Sequence, residues 1–511
     1  MQTSTAKTTS VQRPEDENLG LFANLAYGLQ HVLTMYGGIV AVPLIIGQAA
    51  GMSPAEIGML ITASLFVGGL ATLLQTLGLP FFGCQLPLVQ GVSFAGVATM
   101  IAIVTTGGGL PAVLGSVIVA SLIGFLVTPI FSRIIKYFPN LVTGIVITTI
   151  GLTLMPVAAF WAMGGNPKAE NFGSMGNIGL AAFTLLVVLL LSKLGSASIS
   201  RLSILLAMVI GTLTALALGM TDFSLVSSGP MLALPTPFHF GMPTFQVAGI
   251  VSMLIVIMVT MVETSADILA VGDIIDTKVD SKRLGNGLRA DMISSMLAPI
   301  FGSFTQSAFA QNVGLVAVTG VKSRYVVAFA GLILVTLGLL PVMGRIVAAV
   351  PASVLGGAGM VLFGTVAASG IRTLSKVDYR NNMNLIIVAT SIGFGMIPIA
   401  APHFYEHFPS WFATIFHSGI SSAAIMAIAL NLLFNHIKTG NSENQSVFVA
   451  GTERSLRYQD IAALNEGDHF LDGKLYDAEG HEVPLLVDDE YGVKTLKTPV
   501  PSLQPASAHS A

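Results

Sequence analysis

The chain has 511 residues, 53% hydrophobic and only 10% charged, with a net charge of −3 and a mean hydropathy of +0.79. A soluble globular chain carries about 25% charged residues, so this composition and unbroken apolar runs such as 247–262 exclude a soluble domain. The small net charge marks no nucleic-acid partner. What remains is an all-α polytopic membrane protein, because helices satisfy their own backbone groups in lipid. The alternating short strands of a porin-like barrel are absent from the sequence. Its 54 glycines suit close helix packing and broken helices.

In chain order, residues 1–20 are polar and lack the apolar stretch of a signal peptide, so they read as a cytosolic N-terminal tail. Hydropathy then predicts fourteen segments: 21–46, 56–78, 86–105, 109–131, 141–161, 176–192, 203–220, 244–270, 288–303, 311–320, 325–346, 352–371, 383–400 and 418–436. Several are shorter than the roughly 20 residues of a full crossing. The lone Cys84 has no intrachain disulfide partner and reads as a small core residue beside a turn. Residues 437–511 are polar and acidic and read as a cytosolic tail. Its Pro/Ser/Ala-rich end is expected to be disordered, with a short helix near 458–465.

Positive charge tests this count. With the N-terminus inside, the inner loops hold thirteen basic residues: Arg133, Lys136, Lys193, Arg201, Lys278, Lys282, Arg283, Arg289, Lys322, Arg324, Arg372, Lys376 and Arg380. The outer loops hold two, Lys168 and Arg345. That imbalance supports the orientation, both termini cytoplasmic, and an even number of segments.

Fourteen segments divide into seven plus seven, and the third and tenth form a pair. Gln90-Gly91-Val92-Ser93 aligns with Gln311-Asn312-Val313-Gly314, each with an extended lead-in, a polar break and a short apolar helix. From Gln311 to Gly320 a helix reaches only about 15 Å at 1.5 Å per residue, against a core of roughly 30 Å. Half-spans at matching positions of two halves point to a transporter's binding site, and an odd number of segments per half makes the repeat inverted. A helix that starts inside the membrane exposes unpaired N–H groups and a partial positive charge. Two such ends make a pocket for a flat ligand with carbonyl or anionic acceptors. The plainer alternative is a pair of short, tilted helices with packing glycines.

Few ionisable groups lie within the spans. Glu263 and Asp267 share one helix face near the inner end of segment eight. Carboxylates there are costly and usually functional, the alternative being a wetted helix end. Asp291 stands where it can cap the ninth segment. His31 lies mid-span in the first, as a site residue or simply bonded to a neighbouring helix. Gln306 and Ser307 stand where they can cap the tenth helix, and the charges from Asp273 to Arg283 read as a solvated loop. No metal-spaced His/Cys cluster, phosphate-binding loop or other enzyme signature accompanies these groups. Translocation with a protonatable carboxylate is the simplest reading.

One motif is more specific. In "QNVGLVAVTG", Gln311, Asn312, Gly314, Thr319 and Gly320 match a signature of Gln-Asn-any-Gly, four residues, then Thr and a basic residue or Gly. Together with "ETSAD" and "NGLRAD", it resembles the nucleobase–ascorbate transporter family (nucleobase:cation symporters) over about residues 21–434. The run "VETSADILAVGDII" is similar to the family's bacterial uric acid branch.

The resemblance implies a core domain of segments 1–4 and 8–11 (21–131 and 244–346). A gate domain would hold segments 5–7 and 12–14 (141–220 and 352–436). It further implies a homodimer in the bacterial inner membrane, in contact with lipid and moving by elevator-type alternating access. The expected activity is proton-coupled import of uric acid, with xanthine as a second candidate substrate, no cofactor being needed beyond the proton. The alternative is a symporter of xanthine or another nucleobase such as uracil. Carried over by position, Glu263 and Gln311 bind purine. Asp291 serves coupling or structure, Asp267 is the second acid, Asn312 shapes specificity and His31 supports the site. Ser93 stands at a position that varies among relatives and is expected to tune selectivity. Chemically, ionised Glu263 accepts purine N–H groups and Gln311 offers both an acceptor and donors. Backbone N–H groups near Phe94 and Val313–Gly314 are expected to meet carbonyl oxygens, and the helix dipoles favour an anion.

Overall fold

The computed structural model describes residues 13–131, 140–221, 223–227, 229–379 and 382–437, and in the tail 456–457, 468–471, 474–477, 482–483, 485–489 and 492–495. The predicted helix at 458–465 and the basic residues Arg133, Lys136 and Arg380 lie outside these residues. The chain divides into two units, the second made of 439–511 with 379–382.

The first unit is helical. In chain order it contains α1 (Leu21–Ala49), α2 (Pro54–Leu77), strand β1 (Gln90–Val92), α3 (Val97–Ile103), α4 (Gly109–Val127), α5 (Asn140–Ala162), α6 (Met175–Leu194) and α7 (Ser203–Ala217). It continues with α8 (Val247–Ile275), α9 (Ser281–Leu297), strand β2 (Gln306–Ala308), α10 (Ala310–Thr319), α11 (Arg324–Gly338), α12 (Ala352–Leu374), α13 (Asn382–Ala400) and α14 (Gly419–Asn431). Among the described residues, nine helices are long and apolar enough to cross a bilayer, or ten if α11 and the helix Pro341–Ala348, bent by 80°, count as one span. The fold is therefore a mostly helical, polytopic membrane type.

Local sequence explains the helix starts. Ser53 and Glu56 form a reciprocal capping box around Pro54 at the start of α2. Asp280 accepts from the Arg283 N–H at 2.7 Å and starts α9. This corrects two expectations. Asp280 is a helix cap rather than part of a solvated loop. Asp291 lies inside α9 and not at its N-terminus, because the helix begins well before the apolar run that hydropathy detects.

Small residues let the long helices meet at backbone distance. α2 packs along α11, where a Cβ on Gly69 would stand 2.6 Å from both the Gly331 carbonyl oxygen and the Val335 nitrogen. α5 packs along α12 in the same way: a Cβ on Gly151 would lie 2.3 Å from the Ala367 nitrogen. In an apolar solvent such close packing replaces the hydrophobic drive between helices.

The second unit contains strands that the polar composition did not suggest, while the Pro/Ser/Ala-rich end expected to be disordered lies outside the described residues. Its described residues form two three-stranded sheets, one of β3 (Leu456–Arg457), β7 (Leu485–Asp489) and β8 (Gly492–Thr495), the other of β4 (His469–Leu471), β5 (Lys474–Tyr476) and β6 (Glu482–Val483). Leu475 and Val483 pair across β5 and β6 and are both buried. Short alternating runs between turns carry this pattern, which overall polarity conceals.

The packing of α2 on α11 sets a clear expectation. Gly69→Val forces the two backbones apart, and overpacking of this kind costs about 1–3 kcal/mol. Its Tm in detergent should fall, whereas Gly285→Ala, with open space around it, should melt like the parent protein.

Candidate functional site

The third and tenth segments are each a short strand followed by a half-helix. β1 and β2 pair antiparallel, with Gln90 opposite Ala308, Gly91 opposite Ser307 and Val92 opposite Gln306. A single 3-10 turn, Phe94–Gly96, leads from β1 into α3, and β2 leads through Phe309 into α10. Because the strands are antiparallel, the two half-helices leave the pair from opposite ends, α3 beyond Val92 and α10 beyond Ala308.

Two hydroxyls make the buried strands tolerable. Thr72 of α2 accepts the Gln90 N–H at 2.9 Å and lies 3.2 Å from the Gln90 carbonyl. Ser295 of α9 does the same for Gln306, accepting its N–H at 2.8 Å and donating to its carbonyl at 3.3 Å. Gln90 is thus the counterpart of Gln306. The sequence alignment with Gln311 is five positions out of register (306 against 311). The strands, not the polar breaks, correspond. Gln306 and Ser307 are strand residues and do not cap α10.

Helix α10 has no side-chain cap. The Asn312 N–H bonds the Phe309 carbonyl at 2.9 Å and the Val313 N–H bonds it at 3.4 Å. The amides left for a ligand are therefore those of Ala310 and Gln311, three positions earlier than the expected Val313–Gly314 pair. Gly314 remains in the site differently. It is exposed, with open space where a side chain would stand. At the other half-helix, Ser93 caps the first turn, its hydroxyl accepting from the Ala95 N–H at 3.2 Å. That leaves its own proton for a ligand, and beside it stands the Phe94 N–H. The half-buried Phe94 ring meets Phe363 edge-on, with centroids 6.1 Å apart.

The two amides of α10 take different positions. The Gln311 side chain is exposed on the open face of the helix, which also presents Gly314, Ala317 and Val318. Asn312 is buried and donates to the His31 carbonyl at 3.0 Å, with its other contact to the His31 Nδ1 also at 3.0 Å. A carbonyl can only accept, so the amide NH2 points at His31, Nδ1 is the acceptor and the ring proton sits on Nε2. His31 is buried in α1 and ties that helix to α10.

Behind β2 lie the acids. Thr264, next to Glu263 on α8, accepts the Ala308 N–H at 3.4 Å and so holds the Glu263 turn against the strand. Glu263 is half-buried, while Asp267 and Asp291 are buried. The three carboxyls lie within electrostatic reach of one another. Gln75 of α2 donates to Asp291 Oδ1 at 3.3 Å. Asp267 Oδ2 and Asp291 Oδ2 have no hydrogen-bond partner. A bare carboxylate oxygen buried in this way is costly unless it carries a proton or finds a partner. Among the described residues, no group of three His, Cys, Asp or Glu side chains is placed to hold a metal ion.

Sequence reasoning missed Thr72, Ser295, Gln75 and Thr264. Each lies in an ordinary-looking helix, and only the strands they support reveal them.

A family profile described as "Permease family" matches residues 22–404. The chain is 41% identical to the uric acid transporter UacT of Escherichia coli (strain K12) over 411 residues, covering 80% of this chain and 85% of that protein. It is 38% identical to the xanthine permease of Bacillus subtilis (strain 168) over 416 residues, covering 81% and 94%. In three dimensions it resembles the transmembrane domain of a cyanobacterium bicarbonate transporter, BicA, with a TM-score of 0.52 at 15% identity, covering 81% of this chain and 98% of that one.

The hydroxyl supports make a testable pair. Thr72→Val and Ser295→Ala each leave a buried strand N–H unpaired, which costs about 1–3 kcal/mol. Both variants should show a lowered Tm, whereas Thr214→Val, whose partly exposed hydroxyl serves only its own helix, should not.

Proposed function

The chain belongs to the nucleobase–ascorbate transporter family, and from that premise we propose that it imports uric acid, with xanthine as a second purine, in symport with protons. The carrying observation is the antiparallel pair β1–β2, from whose opposite ends the two half-helices begin, with Gln311 exposed in the first turn of α10. A purine presents N–H donors and carbonyl acceptors in one plane. Gln311 supplies an amide acceptor and donors, and the backbone N–H groups of Phe94, Ala310 and Gln311 receive carbonyl oxygens. Ionised Glu263 accepts purine N–H groups. The paired helix ends favour a urate anion over a neutral purine. Val313 and Gly314 shape the pocket floor, Ser93 tunes selectivity, and Asn312 with His31 fixes the angle of α10. Asp267 and Asp291 couple the proton, a role supported by their burial and their unpartnered oxygens. A xanthine or uracil symporter is the alternative within the family.

The same reading takes the chain as fourteen segments in a 7+7 inverted repeat, in a bacterial inner membrane with both termini cytoplasmic. The matching roles of Thr72 and Ser295, one in each half, support the repeat. The core comprises 21–131 and 244–346, the gate 141–220 and 352–436, in a homodimer. Elevator movement requires the bonds between core and gate to break. Those bonds include the Trp161 indole to Gln48 and the Thr99 hydroxyl to Ser418 at 2.8 Å.

Labelled uptake tests the site. Glu263→Gln and Gln311→Ala should abolish urate accumulation while the protein reaches the membrane in normal amount, and normal accumulation by either variant rejects the assignment. Unlabelled xanthine should compete with urate more strongly than uracil does. A protonophore tests coupling separately: concentrative uptake should collapse, and uptake that survives the loss of the proton gradient rejects symport.

A further inference from the structure

The polar segment ahead of α1 is built into the fold. Residues Pro14–Asp16 form a 3-10 turn, and Glu15 is fully buried. Its Oε1 accepts from Arg283 Nη2 at 2.6 Å. Asp16 takes Arg324 Nε at 2.7 Å, and the same guanidinium caps the end of α2 through the Thr76 and Leu77 carbonyls, at 3.1 and 3.0 Å. The Ser323 hydroxyl donates to the Glu17 carbonyl at 2.5 Å. A segment of a few residues thus joins α2, α9 and α11 at one face of the protein.

Arg283 has a second set of partners. Its Nε donates to the Cys84 carbonyl at 2.6 Å and its Nη2 to the Gln85 carbonyl at 2.8 Å. These two peptides lead, through the buried Leu86 and Leu88, directly into β1. The preceding peptide is also held, the Cys84 N–H donating to Gln75 Oε1 at 3.3 Å. The opposite end of the Gln75 amide donates to Asp291. One connected chain of polar contacts therefore runs from Glu15 through Arg283, the Cys84 peptide and Gln75 to the buried acid.

We propose that Glu15 and Arg283 are positioning residues for transport: the N-terminal turn clamps the entry to β1, and through it sets the half-helix that faces the substrate. A guanidinium this enclosed needs a counter-charge to stay aimed at the two carbonyls, and breaking a buried pair leaves the other charge stranded. Glu15 supplies that counter-charge from a segment that contributes no membrane span. Without it, Arg283 turns toward water, the Cys84–Gln85 loop loosens and β1 loses its fixed register with β2. The inference rests on the transport reading for its uptake arm only.

Cys84, the single cysteine of the chain, is buried and sits at the clamped peptide, so it reports on the clamp. The experiment uses the full-length protein in membranes. It measures the rate at which a maleimide labels Cys84 and the KM and Vmax of urate uptake per molecule of protein. Glu15→Ala should label about tenfold faster than the parent, Arg283→Met at least as fast, and the double variant no faster than Arg283→Met, because both remove one shared contact. Glu15→Gln keeps an acceptor oxygen and should fall between the parent and Glu15→Ala, which preserves the test if Arg283→Met does not reach the membrane. The urate KM should rise roughly threefold or more in Glu15→Ala, with a smaller change in Vmax. Labelling of Glu15→Ala at the parental rate, effects that multiply in the double variant, or an unchanged KM with only less protein present would each overturn the clamp. If the parent protein itself takes up no urate, the transport reading fails while the labelling comparison still decides the clamp.

Discussion

Everything about this site depends on two buried strands that must pair with each other. A backbone that leaves the helical state inside a membrane protein has to find hydrogen bonds nearby. β1 and β2 find them in their mutual ladder and in two hydroxyls, Thr72 and Ser295, each placed on the helix that precedes its strand. That arrangement stops two helices halfway and leaves their N-termini uncapped by side chains or capped only by Ser93. The donors a helix normally wastes at its end, here the N–H groups of Ala310 and Gln311, are left without a backbone or side-chain partner among the described residues.

The surrounding helices serve this constraint. α2 meets α11 at Gly69 and lies against Gln90 and Gly91 at Gly68, one turn from Thr72, and α8 offers Thr264 to the end of β2. The acids then follow from geometry. Once Thr264 is held against β2, Glu263 lies beside the site. Asp267, one turn on, is buried within electrostatic reach of Glu263 and Asp291. Charge is tolerated here because the polar strand pair and its hydroxyls already interrupt the apolar interior.

Much of this was legible in the sequence. The shortness of the third and tenth segments, their extended lead-ins and the polarity of Gln311 and Asn312 all follow from counting residues against bilayer thickness. Their different placements do not follow from that count: Gln311 lies on the open face and Asn312 is buried against His31. Other features were misread for identifiable reasons. Hydropathy places the start of α9 too late, because its first turns are polar, and so mistakes the buried Asp291 for a cap. The eye aligns two polar breaks and misses the strand residue Gln306 as the true counterpart of Gln90. Net polarity hides the alternating strands of the tail.

The sequence by itself determined the class of protein, the two interrupted helices and the identity of the polar groups within them. Each of these is a one-dimensional quantity: a run length, a composition or a spacing along one helix. Only the tertiary structure decided which N–H groups remain free at α10, that Asn312 holds His31, that Thr72 and Ser295 support the strands, and that Glu15 reaches Arg283. Those contacts join residues far apart in the chain, and a hydrogen bond depends on distance and angle in space, which no local pattern encodes.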